Sequence, residues 1–227
     1  MSADSPAYLA TWLRAQGLAF DVRDSQAGDA VPEDLADFAA LALLGGEMNA
    51  NDPLPALRHS EVLIRQGVQR GVPVIGHCLG GQLMARALGA RVVDSPAPEI
   101  GWHPIQIAAN AVARAWLGDA AVAEVFQWHY DAFELPEGAT LLASSAACPR
   151  QAFSIGRHIA LQFHVELDDA KLRRWAEDDD ARREQASRRC DTVHAGAAMR
   201  LDMSTRLLRQ QRMADHLYRR WMAGAPQ

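Results

Sequence analysis

The sequence predicts an α/β fold: an open, mostly parallel (mixed) sheet with helices on both faces. Three observations predict it. Phe38–Leu44 is a continuous apolar run and Val72–Ile75 a short β-branched one, the form taken by parallel strands covered on both faces. Leu57–Arg70 reads as a helix between them. Gly76-His77-Cys78-Leu79-Gly80 then follows the second run and opens a helix over Leu79–Leu88, where Leu83, Ala87 and Leu88 share helical spacing and Gly89 is a stop signal.

Taken in order, Ser5–Gln16 is expected to be the first helix. Ser5 would cap it, Pro6 sits in the first turn, Tyr8, Leu9, Trp12 and Leu13 form one face, and Gly17 ends it. Ala19–Arg23 is predicted as a short strand and residues 24–37 as loop or a short helix. After the central turn, Arg91–Val93, Ile105–Ile107, Thr140–Ala143, Gln151–Ile155 and His158–Phe163 read as strands, with turns at Pro96–Pro98, His103-Pro104, Leu135–Ala139 and Gly156. Their short, consecutive spacing predicts an antiparallel or mixed edge. Val112–Trp116 and Ala121–Phe126 carry no clear period. From Leu167 the chain looks helical, and Glu177–Arg183 reads as a solvated charged run. Leu207, Leu208, Leu217, Tyr218 and Trp221 form an apolar face that must bury against the body, a partner subunit (a homodimer being one such arrangement), or both. The expected division is a catalytic domain over 1–166 and a helical extension over 167–227 packed on it.

Composition excludes several classes. At 227 residues, 49% hydrophobic and 22% charged, the chain is an ordinary globular one. Nothing approaches the ~18 consecutive apolar residues of a membrane span, and no signal peptide is read at the N-terminus. Three widely spaced cysteines argue against a disulfide framework and for a reducing, cytoplasmic location. Residues 1–166 carry 10 basic and 18 acidic side chains, and residues 167–227 carry 13 and 10. The acidic body suggests neither nucleic-acid nor membrane binding. Only Lys171 is a lysine, against 22 arginines, a bias from which no function is drawn.

The chemistry concentrates in the Gly76–Gly80 turn. It is the nucleophile-elbow pattern with cysteine in the nucleophile's place. A turn this tight has no room for side chains two residues either side of Cys78, and it sets the sulfur at a helix N-terminus, where negative charge is favoured. Gly45-Gly46 after the first apolar run lets backbone N–H groups approach a ligand. His164 and Glu166, two apart in an extended segment, point to the same side. A Cys–His pair needs such a third group to orient the imidazole. His77 is the alternative base, but neighbours in an elbow point away from each other.

Gly76-His-Cys78-Leu-Gly80-Gly-Gln82, with Gln162-Phe-His164-Val-Glu166 86 residues after the cysteine, resembles the triad-type class I glutamine amidotransferases. Leu44-Gly-Gly46, Glu99-Ile-Gly-Trp102 and the Trp128-His129-Tyr130-Asp131 segment, similar to the family's His-x-Asp loop, strengthen the likeness. The nearest resemblance is to stand-alone proteins similar to the amidotransferase domain of GMP synthase. It implies a flavodoxin-like class I amidotransferase fold. It also implies a nucleophile in Cys78, a base in His164, an orienting carboxylate in Glu166, and an oxyanion held by Gly46 and Leu79. Substrate would be held by Gln82 and by the chain around Trp128, His129 and Tyr130. The implied reaction hydrolyses L-glutamine or another γ-glutamyl amide through a thioester, with no metal or organic cofactor. Ammonia would pass to a separate acceptor protein or to water. A γ-glutamyl-amine hydrolase fits the same residues. A non-catalytic regulatory subunit of the same fold is the reading of a different class. One departure stands out: the apolar strand that opens the family's fold is missing before the first helix, and no Gly-rich phosphate loop follows Glu166.

Overall fold

The computed structural model describes residues 5–178, 181–223 and 225. Its elements, in chain order, are α1 (Ala7–Ala15), β1 (Leu41–Leu43), α2 (Pro55–Arg70), β2 (Val74–His77), α3 (Leu79–Ala87), β3 (Val92–Ile107), α4 (Ala111–Leu117), β4 (Val122–Phe133), β5 (Thr140–Ser144), β6 (Ala152–Ile155), β7 (His158–Leu161), α5 (Asp169–Glu177), α6 (Ala181–Ser187), α7 (Gly196–Arg200) and α8 (Met203–Met222). The seven strands form one sheet in the order β1-β2-β7-β6-β5-β3-β4. β1, β2 and β7 are parallel, and every other pairing is antiparallel. The mixed open sheet is as expected, but antiparallel pairings outnumber parallel ones. The reason is two long strands hidden in the sequence, β3 by its prolines and β4 by its irregular period. They absorb the predicted turns at Pro96–Pro98 and His103, with a register shift between Asp94 and Glu99.

Two apolar layers flank the sheet. On one side Leu9, Trp12 and Leu13 of α1, Trp116 of α4, and Leu217, Tyr218 and Trp221 of α8 pack on Ile75, Ile159 and Leu161. On the other, Leu57 and Ile64 of α2 and Leu83 and Met84 of α3 pack on Val74 and Ala160. A third cluster joins Leu172 and Trp175 of α5 to Met199, Leu207, Trp102 and Phe126. Residues after Leu167 thus share cores with the strands. Leu208 departs from the predicted face: it is exposed.

The parallel edge differs from expectation. Phe38–Leu44 contracts to a three-residue, half-buried strand that pairs only with β2 among the described residues; both faces are covered as expected, Ala40, Ala42 and Leu44 packing on one layer and Leu41 and Leu43 on the other. A short edge strand limits the unpaired backbone on offer. The strand missing before α1 concerns residues 1–4, which lie outside the described residues; Ser5 is not in a strand, and α1 has Pro6 rather than Ser5 at its N-cap, with no side-chain cap. Ala19–Arg23 forms no strand. Among the described residues no helix is long and apolar enough to cross a membrane.

Candidate active site

The carboxyl ends of β1, β2 and β7 converge on one crevice, the usual ligand position in an open α/β sheet. β2 ends in the elbow. Cys78 is held at φ +49°, ψ −111°, a strained conformation for a residue with a side chain. The flanking glycines make it possible. A Cβ on Gly76 would lie 2.5 Å from the Gly80 carbonyl, and one on Gly80 would lie 2.5 Å from the Leu43 carbonyl oxygen. The Cys78 N–H donates to Leu161 O at 2.9 Å, which ties the elbow to β7. Its sulfur donates to the Trp128 carbonyl at 3.5 Å.

The β3–β4 ribbon arches over these strand ends. Trp128 O meets Cys78, Asp131 O accepts from Gln82 Nε2 at 3.2 Å, and Phe126 O accepts from the His164 N–H at 2.9 Å. Gln82 is buried on α3. Asn49, in the loop after β1, donates to Asp131 Oδ2 at 2.9 Å.

His164 and Glu166 follow β7 and are both buried. His164 Nδ1 lies 2.7 Å from Glu166 Oε1. With Nδ1 donating to the carboxylate, Nε2 carries the lone pair, and it has no hydrogen-bond partner among the described residues. Burial alone would push the imidazolium down. The Glu166 charge and then the Cys78 sulfur outweigh it, raising the His164 pKa from 6.5 to about 10. Sulfur and imidazole thus interact, although Nε2 has no partner at hydrogen-bond distance. The arrangement favours the proton on His164, which is the state that follows deprotonation of a thiol.

Burial would raise the Glu166 carboxyl, but Lys171, then His164 and His77, hold it well below its ordinary value. Lys171 is buried, and its ammonium donates to Glu166 Oε1 at 3.1 Å and to Ser5 O at 3.1 Å. The local fold explains its place. Asp168 caps α5 by accepting from the Lys171 N–H at 2.8 Å, so the first turn folds the side chain back over Glu166.

At the position expected to hold the oxyanion, Gly46 lies against Leu79: a Cβ on Gly46 would sit 3.0 Å from Leu79 Cδ2. Neither backbone N–H forms a hydrogen bond among the described residues, as an oxyanion hole requires. Among the described residues, no group of three or more His, Cys, Asp or Glu side chains is placed to hold a metal ion.

The model of the class I glutamine amidotransferase family matches residues 8–173. The chain belongs to that family. It is 34% identical over 168 residues to the glutamine amidotransferase-like protein YfeJ of Salmonella typhimurium, covering 71% of this chain and 70% of that one. It is 31% identical over 161 residues to the glutamine-hydrolyzing GMP synthase of Aeropyrum pernix; the match spans 70% of this chain and only 30% of that protein. The crystal structure of a glutamine amidotransferase from Methylobacillus flagellatus superimposes with a TM-score of 0.93 at 35% identity, covering 98% of this chain and 91% of that one.

Among the site residues expected of this amidotransferase, the structure brings Cys78, His164, Glu166, Gly46, Leu79, Gln82 and the Trp128 backbone to one crevice. His129 is different. Its segment is not a loop but part of β4, and its ring turns away into a buried network: Nε2 is 3.2 Å from Glu99 Oε2 and Nδ1 is 3.1 Å from Asp131 O. Alternation along a strand accounts for this, since Trp128 and His129 face opposite sides. Tyr130 is half-buried against the cluster around Trp175. His77 stays on the far side of the elbow, with Nδ1 3.4 Å from Leu43 O and Nε2 3.4 Å from the Tyr218 hydroxyl.

Three residues near the amidotransferase site escaped sequence reasoning. Lys171 is one. Trp175 sets its ring edge-on to His164 at 4.8 Å. Arg183, read as part of a solvated run, packs its guanidinium 5.5 Å from the Trp128 ring centroid and donates to Trp175 O at 2.9 Å. Lys171 and Trp175 lie four apart on one helix, a spacing that shows a shared face but not what the face covers.

Proposed function

We propose that this amidotransferase hydrolyses the side-chain amide of L-glutamine, or of another γ-glutamyl amide, through a thioester on Cys78. The observation that carries the reading is the buried His164, with Nδ1 bound to Glu166 and Nε2 unpartnered beside the Cys78 sulfur. The sulfur gives its proton to Nε2 and forms a bond to the amide carbon. The negative oxygen is held by the Gly46 and Leu79 N–H groups. The carbon–nitrogen bond breaks as His164 returns the proton to the leaving amine. Water, activated by His164, then attacks the thioester, releases glutamate and restores the thiol. Gln82 and the β4 backbone around Trp128 orient the substrate's amino-acid end. Ammonia leaves to water or to a separate acceptor protein.

The test is glutamate and ammonia release from purified protein given L-glutamine with no acceptor, with Cys78→Ala as control. Release that the variant abolishes is the expected result. Cys78 labelling by a glutamine-like electrophile without turnover of glutamine would move the reading to a γ-glutamyl amide with a larger leaving amine. The absence of both turnover and labelling would overturn it.

A further inference from the structure

We propose that Lys171, the sole lysine of the chain, is a positioning residue of this site: its buried ammonium keeps Glu166 an anion, and Glu166 in turn holds the His164 ring. The inference rests on the proposed function for its catalytic meaning and on geometry for its existence.

Three observations carry it. The ammonium is fully enclosed, with hydrogen bonds to Glu166 Oε1 and Ser5 O, and it lies 4.9 Å from the Trp175 ring centroid. An aromatic face supplements two acceptors for a compact cation. Secondly, the other groups facing Glu166 cannot replace it. From β2, His77 has its pKa lowered by burial, and it ranks behind Lys171 and His164 in holding down the Glu166 carboxyl. From α8, Tyr218 is kept protonated by burial and by Glu166 itself. Among the described residues at the start of the chain, the Tyr8 N–H donates to the Glu166 backbone O at 2.8 Å, while the Tyr8 phenol donates to Asp215. That leaves His164, whose charge must change during the reaction. Lys171 is the cation that does not change. Thirdly, the cation enclosed here is a lysine and not an arginine. A planar guanidinium needs more room than a point charge between a carboxylate and a carbonyl. Burying an ion pair is poor stabilisation, since an apolar pair of equal volume does as well or better. Stability therefore does not explain the pair, whereas a fixed charge behind His164 does.

Being the only lysine also makes it directly observable. In protein labelled with ε-¹⁵N-lysine, a single side-chain ammonium signal is expected, shielded from solvent exchange and displaced by Glu166→Gln. A rapidly exchanging signal indifferent to that substitution would overturn the proposal. This readout needs no substrate and no change at Lys171, so it stands even if L-glutamine is not turned over. For function, Lys171→Met is expected to lower kcat by ~10-fold or more with KM little changed. The acid limb of the pH profile is expected to move upward by ~1–3 units, because Glu166 loses its main opposite charge. In a Glu166→Gln background the same substitution should do little more. A Lys171→Met enzyme with wild-type kcat and an unmoved acid limb, or losses that simply add to those of Glu166→Gln, would overturn it.

Discussion

The molecule buries two histidine–carboxylate pairs, and their difference separates chemistry from architecture. His164 gives one nitrogen to Glu166 at 2.7 Å and keeps the other unpartnered toward Cys78. His129 has both nitrogens occupied, by Glu99 and by the Asp131 carbonyl. The carboxylates differ likewise. Glu166 meets an ammonium, while Glu99 Oε2 accepts from the Gln151 amide at 2.6 Å, and Gln151 accepts from Gln127 at 2.8 Å. A proton can enter and leave the first pair. The second is a closed hydrogen-bonded brace between β3, β4 and the start of β6. On the proposed function, the same two residue types are a reactive group or a strut according to whether one nitrogen is left over.

The largest effect should fall on the histidines. His164→Ala is expected to lower γ-glutamyl hydrolysis by ~10²–10⁴-fold in the folded protein. His129→Ala should keep turnover per folded molecule, although it loses ~1–3 kcal/mol as Glu99 and the Asp131 carbonyl are left buried without it. Parallel kinetics and thermal melts would decide this; equal activity losses would erase the contrast.

A second effect sharpens the difference in backbone. The Cys78 site rests on main-chain contacts that cannot yield, since a Cβ on Gly80 would meet the Leu43 carbonyl. Gly80→Ala is expected to destabilise by at least ~1–3 kcal/mol through overpacking. Gly138 sits at φ +76° with nothing within 4 Å, and Gly138→Ala should cost only ~1–2 kcal/mol of conformational strain. Denaturant melts of both would test this ranking.

The pH dependence near neutrality is the smallest effect. The His164 pKa is raised above its unfolded value, so its stabilising contribution is complete below pH 6.5 and is lost as pH rises toward about 10. Stability measured over that range should decline in the wild type and flatten in His164→Gln. A slope unchanged by the substitution would contradict the assignment.

Particular residues show why some of this was legible in sequence. Gly76 and Gly80 could be read because a tight strand-to-helix turn tolerates nothing larger, and His164 and Glu166 because an extended segment aligns residues two apart. α1, α2 and α3 followed from apolar spacing and terminal glycines. The sidedness of His129 was hidden, because its neighbours gave no strand period and the segment looked like a loop. β3 was broken by its prolines. Lys171 and Arg183 were invisible as site residues. Charged side chains on a surface-like helix reveal nothing until the fold turns that helix back over the strand ends. Leu208 was assigned inward by spacing alone, and tertiary packing of α8 left it exposed.

On the proposed mechanism the unpartnered nitrogen of His164 serves Cys78, and the ring of His129 does not. Covalent labelling of Cys78 by an electrophilic glutamine analogue, followed by site-resolved mass spectrometry, tests it most directly. A single adduct on Cys78, formed at near wild-type rate in His129→Ala and lost in His164→Ala, is the predicted result. Labelling that survives His164→Ala but fails in folded His129→Ala would contradict the claim.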